Sequence, residues 1–191
     1  MTLPSMHPRP GNLREVAEEI ERATGLRVEI LGGALVMSPT PRGKHAGSIR
    51  RLRQQLEASM PDGLAAYEVT SIAMPDDDDD YCTPDLVILP DTWDTDDDWL
   101  ADPLDVELAV EVISKSERAA QINGKNGWYA AAGVRALLVI DPRVGRWALF
   151  AGPAAGGYAE LIEGAYGDSI VLLSPLTISL DTACLPRYDE Q

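Results

Sequence analysis

The stretch VELAVEVISKS, from Val106 to Ser116, has the composition of a buried β-strand but carries two glutamates, Glu107 and Glu111. Successive side chains of a strand point to opposite faces, so both glutamates share one face. The opposite face is wholly apolar and consists of Leu108, Val110 and Val112. Because an unpaired charge is costly to bury, a buried Glu111 would need a partner elsewhere in the fold.

A second acidic residue, Asp85, opens another apolar run, PDLVILP, that precedes this strand in the chain. If the two strands pair, Asp85 and Glu111 converge at one edge of a sheet. Two carboxylates at one place repel each other unless a cation lies between them, and oxygen ligands suit Mg²⁺ or Mn²⁺. With only His7 and His45 in the chain, a zinc site built from histidines is not favoured.

Hydrophobic periodicity predicts three helices, over residues 11–25, with Asn12 as N-cap, 45–60 and 116–133. The predicted order of elements is α-β-β-α-β-β-β-α-β-β-β. The strand, helix and strand between residues 106 and 141 form a candidate right-handed crossover. We therefore expect an α/β protein with a mixed sheet and extra strands at the C-terminal end.

Three shorter patterns refine this order. The pair Gly32-Gly33 between two β-rich runs indicates a hairpin. AAYEVTSIAM, residues 65–74, alternates and predicts one strand. The following run PDDDDDY, residues 75–81, is typical of a solvated turn.

Length and charge limit the number of domains and the kinds of partner that the sequence allows. A chain of 191 residues is expected to form a single domain, residues 1–191. The net charge of −15 is local, because residues 54–114 hold 18 of the 31 acids and no Lys or Arg, whereas the rest holds 13 acids against 16 bases. A polyanionic partner is therefore compatible with the chain. The basic residues predicted to contact it are Arg42, Lys44, Arg50, Arg51 and Lys115.

The sequence carries no sign of a membrane or an export route. No apolar run approaches the ~20 residues of a membrane span, and the first residues lack the apolar core of a signal peptide. Cys82 and Cys184 have no CxxC spacing, which favours reduced thiols. We expect a cytoplasmic protein, and a homodimer because two-fold homo-oligomers prevail in general.

The order of these motifs resembles a known family of nucleases. PDLVIL, followed by VEVIS with its Glu 26 residues after the Asp, resembles the PD-(D/E)xK signature, although Ile113 stands where that signature places a Lys. The chain is similar to the Uma-type family of restriction-endonuclease-like proteins, domains of unknown function in which the following helix supplies the Lys. The matching positions are Ser114, Lys125, Tyr129, AAAGV at 130–134 and LLVIDP at 137–142, with Glu29 and His45 upstream. Gln121 departs from the family, which has an Asp there.

The resemblance implies a restriction-endonuclease-like core with helices on both faces of the sheet. Its expected bounds are 12–150 for the core, 76–102 for an Asp-rich loop insertion and 151–191 for C-terminal strands. It further implies hydrolysis of phosphodiester bonds in nucleic acid, DNA foremost. Mg²⁺ or Mn²⁺ would be held by Asp85, Glu111 and the Val112 carbonyl, with Lys125 as the third catalytic residue. Supporting residues would be Glu29, Gln121, Tyr129 and Ser114.

Other interpretations stay open at the level of sequence. Asp85 could be a turn residue, and Lys125 could be an exposed helix lysine. Glu111 could lie at a solvated strand end or pair with Lys125 in a purely structural way. The chain could then be a catalytically inactive nuclease fold that serves as a binding module. It could also be an acidic protein-interaction domain that mimics nucleic acid through 76–80 and 94–98.

Overall fold

A computed structural model describes residues 13–38, 40–95 and 97–189, so the predicted N-cap Asn12 and residue Asp96 of the acidic run lie outside the described residues. The helices are α1 (Leu13–Thr24), α2 (Gly43–Glu57) and α3 (Ala119–Ala132), with short 3₁₀ turns at Asp91–Thr95 and Pro103–Asp105. The strands are β1 (Arg27–Leu31), β2 (Ala34–Ser38), β3 (Leu64–Tyr67), β4 (Ser71–Met74), β5 (Asp77–Cys82), β6 (Leu86–Pro90), β7 (Leu100–Ala101), β8 (Leu108–Val112), β9 (Ala136–Asp141), β10 (Arg146–Ala154), β11 (Gly157–Ala165), β12 (Ser169–Val171) and β13 (Ser179–Asp181).

The main sheet has six strands in the order β11-β10-β9-β8-β6-β3. Its centre is the parallel pair β8 and β9, joined through α3, while β6 pairs with β8 in antiparallel register. A second sheet has the order β2-β1-β5-β4-β7, and β12 pairs with β13 separately. The predicted boundary at residue 150 falls within β10, and β11 forms an edge of the main sheet.

The alternation of β8 decides which helix covers which face. Leu108, Val110 and Val112 pack with Leu52 and Leu56 of α2. Ala109 and Ile113 belong to a different buried cluster, which includes Trp128, Tyr129 and Ala132 of α3. The sheet thus lies between α2 and α3, as expected for a restriction-endonuclease-like fold with helices on both faces. Glu111 shares the face covered by α3.

The stretch at 65–74 forms two strands, so the prediction of a single strand is wrong. β3 belongs to the main sheet and β4 to the second sheet. The chain changes direction between them at Val69, which has a positive φ of 62°. A residue with this φ cannot continue a strand, and each half pairs with a different partner.

The acidic run at 76–80 is not a solvated turn, and 76–102 is not a loop insertion. Residues 77–82 form β5, and β6 and β7 lie in the same range. Asp79 and Asp80 are buried. The Asp80 carboxylate accepts hydrogen bonds from the backbone amides of Gly32 and Gly33, the latter at 2.9 Å. Both glycines have positive φ in the β1–β2 turn, and the carboxylate satisfies amides that the turn leaves unpaired.

Within the described ranges, no helix is long and apolar enough to cross a membrane.

Candidate metal and catalytic site

Glu111 lies in β8 and meets two side chains of α3. Its Oε1 accepts a hydrogen bond of 2.9 Å from Lys125 Nζ and one of 2.6 Å from the Tyr129 hydroxyl. Lys125 and Tyr129 stand four residues apart, which places both on the helix face that packs against the sheet. The side chains of Glu111 and Lys125 are 12% and 10% exposed. The cation that Glu111 requires therefore comes from the next helix.

Glu29 brings a second carboxylate to the same ammonium from β1 of the other sheet. Its Oε1 accepts from Lys125 Nζ at 3.1 Å and from the Thr83 amide at 2.9 Å, and the Cys82 thiol donates to it at 3.2 Å. Glu29 is fully buried. Its other oxygen, Oε2, has no hydrogen-bond partner among the described residues. One ammonium is thus shared by two carboxylates.

This sharing sets the protonation of the cluster. Burial opposes the charged form of Lys125, but the adjacent Glu111 carboxylate, which also accepts its hydrogen bond, holds the pKa of Lys125 well above its ordinary value. Burial raises the pKa of Glu111 to about 7; Lys125 counteracts this shift, while Asp85 and Glu29 reinforce it. A single ammonium does not fully neutralise two carboxylates, so Lys125 stays charged while Glu111 is easily protonated. Burial likewise raises the pKa of the Cys82 thiol.

Asp85 has a separate set of partners at the start of β6. Its Oδ1 lies 3.1 Å from His45 Nε2 and 3.7 Å from the Arg27 guanidinium, and its Oδ2 accepts from the Val112 amide at 2.8 Å. Burial alone would raise the pKa of Asp85, but the hydrogen bond and charge of His45, then the Val112 amide and Arg27, lower it below its ordinary value. Asp85 is therefore ionised in the pH range in which Glu111 still gains or loses its proton.

The donor atoms fit a divalent cation. Glu29, Cys82 and Glu111 each offer a ligand atom, and these atoms lie within 4.8 Å of one another. The carboxylates outnumber the permanent cations Lys125 and Arg27, and Glu29 Oε2 is a buried acceptor for which the described residues supply no donor. The carboxylate oxygens of this set suit hard ions such as Mg²⁺ and Mn²⁺, whereas the Cys82 sulfur suits softer ions such as Zn²⁺.

The other residues that the sequence placed in the site lie apart from this cluster or enter it only through the backbone. Gln121 is exposed, and its side chain accepts from the Arg118 amide at 3.0 Å as a cap of α3. The Ser114 amide donates to Glu117 Oε2. Within the described part of the chain, neither Gln121 nor Ser114 hydrogen-bonds to Glu111, Lys125 or Asp85. Val112 contributes its amide to Asp85, while an ion contact of its carbonyl stays a prediction.

The predicted nucleic-acid contacts divide into two groups. Lys44 Nζ lies 2.6 Å from Asp189 Oδ1, and Lys115 Nζ donates to the Asp189 carbonyl at 3.1 Å. The residue before, Tyr188, donates to the Ile113 carbonyl at 3.0 Å and lies 3.5 Å from His45 Nδ1. Segment 187–189 therefore lies beside the site. Arg50 and Arg51 bond within α2, and Arg42 is its N-cap.

Sequence reasoning missed Arg27, Cys82 and Tyr188 as neighbours of the site. Arg27 had a usable signal, because residues i and i+2 of a strand share a face and Arg27 stands two residues before Glu29. Cys82 stands three residues before Asp85 but offers no motif. Tyr188 comes from the far end of the chain, and its contacts depend on the tertiary fold.

Comparisons with known proteins agree with this architecture. The model of a family described as "Uma2: Putative restriction endonuclease" matches residues 14–183. The crystal structure of a putative nuclease belonging to DUF820 from Anabaena variabilis ATCC 29413 superposes with a TM-score of 0.67 at 15% identity, covering 85% of this chain and 90% of that one. No curated protein matches the sequence significantly.

Proposed function

The chain belongs to the Uma2 family of putative restriction endonucleases, and on that premise we propose that it is a metal-dependent nuclease that hydrolyses phosphodiester bonds of nucleic acid, DNA foremost. The observation that carries the proposal is the largely buried contact of 2.9 Å between Glu111 and Lys125, whose side chains are 12% and 10% exposed. It supplies a carboxylate for an ion and a cation for the transition state in one place. The proposed unit is the whole chain, 1–191, as a single domain.

Asp85 and Glu111 would hold Mg²⁺ or Mn²⁺, together with the Val112 carbonyl and, through Oε2, Glu29. A divalent ion bound there would polarise a phosphate oxygen and lower the pKa of a bound water. Asp85 suits this role because His45 and Arg27 keep it ionised. Its two oxygens still have acceptor capacity beyond the hydrogen bonds that they receive.

Lys125 would stabilise the negative charge that develops on the phosphate. Its pKa lies well above the ordinary value, so the ammonium is retained at neutral pH. The Lys125 ammonium is oriented in part by the carboxylate of Glu29. This carboxylate is fully buried, and the backbone amide of Thr83 donates a hydrogen bond that fixes its position. A cation positioned before the reaction needs no reorganisation when charge develops, which is the main source of electrostatic catalysis.

Arg27 and Tyr129 would complete the arrangement. The Arg27 side chain is 29% exposed, so its guanidinium can meet a phosphate that arrives from solvent. Arg matches the geometry of phosphate oxygens through a fork of N–H donors. Tyr129 is fully buried and donates to Glu111, which holds the carboxylate in one orientation.

The alternatives from the sequence gain no support from specific contacts. Nucleic-acid mimicry through 76–80 and 94–98 has part of the exposed charge that it needs, because Asp76, Asp77, Asp78, Asp94, Asp97 and Asp98 are exposed. Asp79 and Asp80, however, are buried, and Asp80 binds the amides of the β1–β2 turn. Inactivity through loss of the family Asp would require a role at Gln121, but that exposed side chain caps α3. Nucleic acid as the partner is therefore preferred, and a homodimer stays a prediction.

A plasmid-nicking assay with Mg²⁺ or Mn²⁺ tests the proposal. We expect the wild type to nick the plasmid, and Asp85→Asn and Glu111→Gln to lose at least about 100-fold in rate. Glu107→Gln is the matched control, because Glu107 alternates onto the same face as Glu111 but pairs with the exposed Arg135. Equal cleavage by all four proteins, or none by the wild type, would contradict the proposal.

A further inference from the structure

Cys82 has no role in the proposed hydrolysis, although its thiol lies inside the carboxylate cluster. Sγ is 3.2 Å from Glu29 Oε1 and 4.0 Å from Glu111 Oε1. Cys82 and Glu29 are both fully buried. Three potential ligands from β1, β5 and β8 therefore converge at one point between the two sheets.

The spacing of these atoms matches a tetrahedral ion with sulfur and oxygen ligands. A metal–sulfur bond of about 2.3 Å and metal–oxygen bonds of about 2.0 Å hold sulfur and oxygen about 3.5 Å apart. The two observed distances, 3.2 and 4.0 Å, lie on either side of this value. All three ligand atoms lie within 4.8 Å of one another.

Two further observations indicate that a cation belongs at this point. Glu29 Oε2 is buried and has no partner among the described residues, and a buried acceptor without a donor is uncommon in folded proteins. The Lys125 ammonium already lies between the two carboxylates, 3.1 Å from Glu29 Oε1 and 2.9 Å from Glu111 Oε1. A monovalent cation thus marks the position that a divalent one would take.

A small cavity lies next to the cluster on the side of Glu111 and Lys125. The cavity, of about 10 Å³, is large enough for one water molecule and is lined by Glu111, Lys125 and Asn126 among others. The Glu111 side chain is 12% exposed, so the cluster is not sealed.

We propose that Glu29, Cys82 and Glu111 form a binding site for a borderline-soft divalent ion such as Zn²⁺ or Co²⁺, which overlaps the Asp85-containing site for a hard ion at Glu29 and Glu111 but is distinguished from it by the Cys82 sulfur. A thiol selects Zn²⁺ and Co²⁺ over Mg²⁺, which prefers oxygen alone. On binding, a metal–sulfur bond forms, the thiol proton passes to solvent, and the Lys125 ammonium withdraws from the two carboxylates. No atom is oxidised or reduced.

Occupation of this site has a consequence for activity. The soft ion shares Glu111 with the proposed catalytic site and displaces Lys125, so Zn²⁺ is expected to inhibit cleavage. This consequence rests on the proposed nuclease function, whereas the metal site itself does not.

Cobalt spectroscopy tests the site without an activity measurement. Co²⁺ is titrated into the Cys184→Ser protein, which lacks the exposed second thiol, and into the Cys82→Ser/Cys184→Ser protein. We expect a near-ultraviolet sulfur-to-cobalt band in the first protein and its loss in the second. Zn²⁺ should displace Co²⁺ from the first protein and bind the second at least about tenfold more weakly.

A second variant distinguishes the loss of a ligand from a loss of the fold. Glu29→Gln keeps Cys82 but removes one carboxylate charge, and it should weaken Co²⁺ binding at least about tenfold with the band retained at saturation. Thermal unfolding followed by circular dichroism shows that each variant is folded. An equal band after Cys82→Ser, or Co²⁺ binding by the Cys184→Ser protein without a band, would overturn the proposal.

A measurement of nicking activity distinguishes the nuclease proposal from the metal-site proposal. With Mn²⁺ present, added Zn²⁺ should inhibit nicking by the Cys184→Ser protein, and the double variant should be at least about tenfold less sensitive relative to its own zinc-free rate. Equal sensitivity would overturn the inhibitory overlap. If no protein nicks DNA but the cobalt band depends on Cys82, the nuclease function fails while the metal site stands.

Discussion

The ammonium of Lys125 lies 2.9 Å from Oε1 of Glu111, although the two residues stand 14 positions apart and belong to different elements. Ile113, two residues after Glu111 in the sequence, packs instead in the apolar cluster beneath α3. The charge of the Glu111 carboxylate is therefore compensated by one residue of α3. Removal of the Lys125 ammonium is expected to affect stability as well as cleavage.

We expect Lys125→Met to destabilise the protein in a pH-dependent way. Removal of one partner of a buried ion pair leaves uncompensated charge and costs about 3–5 kcal/mol of unfolding free energy. The cost should be close to this range at pH 8 and smaller at pH 5, because Glu111 then takes up a proton. Urea unfolding at both pH values measures it. The exposed Lys115→Met serves as control, and an equal loss at both pH values would contradict the expectation.

The free energy of unfolding of the metal-free wild type should fall as pH rises from about 5 to 7. The folded pKa of Glu111 is about 7, above its ordinary value of 4.5. Between these values the folded state binds more protons than the unfolded state, so stability decreases with rising pH. The slope is at most about 1.4 kcal/mol per pH unit.

Glu111→Gln cannot titrate and should show a flatter profile over this range. Asp85 does not interfere, because its folded pKa is lowered and its contribution is lost only in stronger acid. Denaturant unfolding of both proteins, without metal, gives the comparison. Parallel profiles for wild type and variant would show that another group titrates.

His45→Ala should reduce nicking by about 10- to 100-fold, as expected for a residue that positions a metal ligand. Without the hydrogen bond and charge of His45, the pKa of Asp85 rises, so the loss should be larger at acidic pH. The pH–rate profile should therefore move its acid limb to higher pH. His45→Gln, which retains an N–H donor, should recover part of the rate. A uniform loss across the pH range would indicate a purely structural role.

The sequence predicted the elements that depend on local pattern. Alternation in β8 placed Glu111 opposite Val110 and Val112, and the i, i+4 spacing placed Lys125 and Tyr129 on one face of α3. Both depend only on the geometry of one strand or one helix. Hydrophobic periodicity also predicted a helix ending at Gly133. The structure places Gly133 as the C-cap of α3, with φ of 90°.

Residues whose roles depend on distant partners could not be predicted. Asp80 looked like part of a solvated run until the β1–β2 turn supplied two amides for it. Cys82 comes from β5 of the second sheet and meets Glu111 only when that sheet packs beside β8, whereas Glu29 of the neighbouring β1 was expected in the site only through the family resemblance. No local periodicity encodes such a meeting, because it depends on how the two sheets pack.

Gln121→Asp should leave nicking unchanged within about twofold. The residue departs from the family pattern, but its exposed side chain accepts a hydrogen bond from the Arg118 amide, and an Asp carboxylate at the same position can also act near a helix start. Surface changes of this kind alter stability by about 0.5 kcal/mol or less. Nicking rates and melting temperatures of the two proteins measure both effects. A tenfold gain in rate would instead give the family Asp a catalytic role.

Asp189→Asn should strengthen the binding of nucleic acid. The Asp189 carboxylate lies 2.6 Å from Lys44 Nζ, and Lys115 donates to its carbonyl, so one acidic residue occupies two of the predicted phosphate contacts. A carboxylate and a phosphate oxygen compete for the same ammonium. Because the pair is exposed and screened by salt, we expect a gain of about two- to fivefold in affinity at low salt, which shrinks at high salt.

Fluorescence anisotropy of a labelled oligonucleotide in EDTA measures binding without cleavage. Asp62→Asn removes the same charge from an exposed position and controls for net charge, and Lys44→Ala should weaken binding. If Asp62→Asn matches Asp189→Asn, the gain comes from overall charge and segment 187–189 does not compete with the substrate.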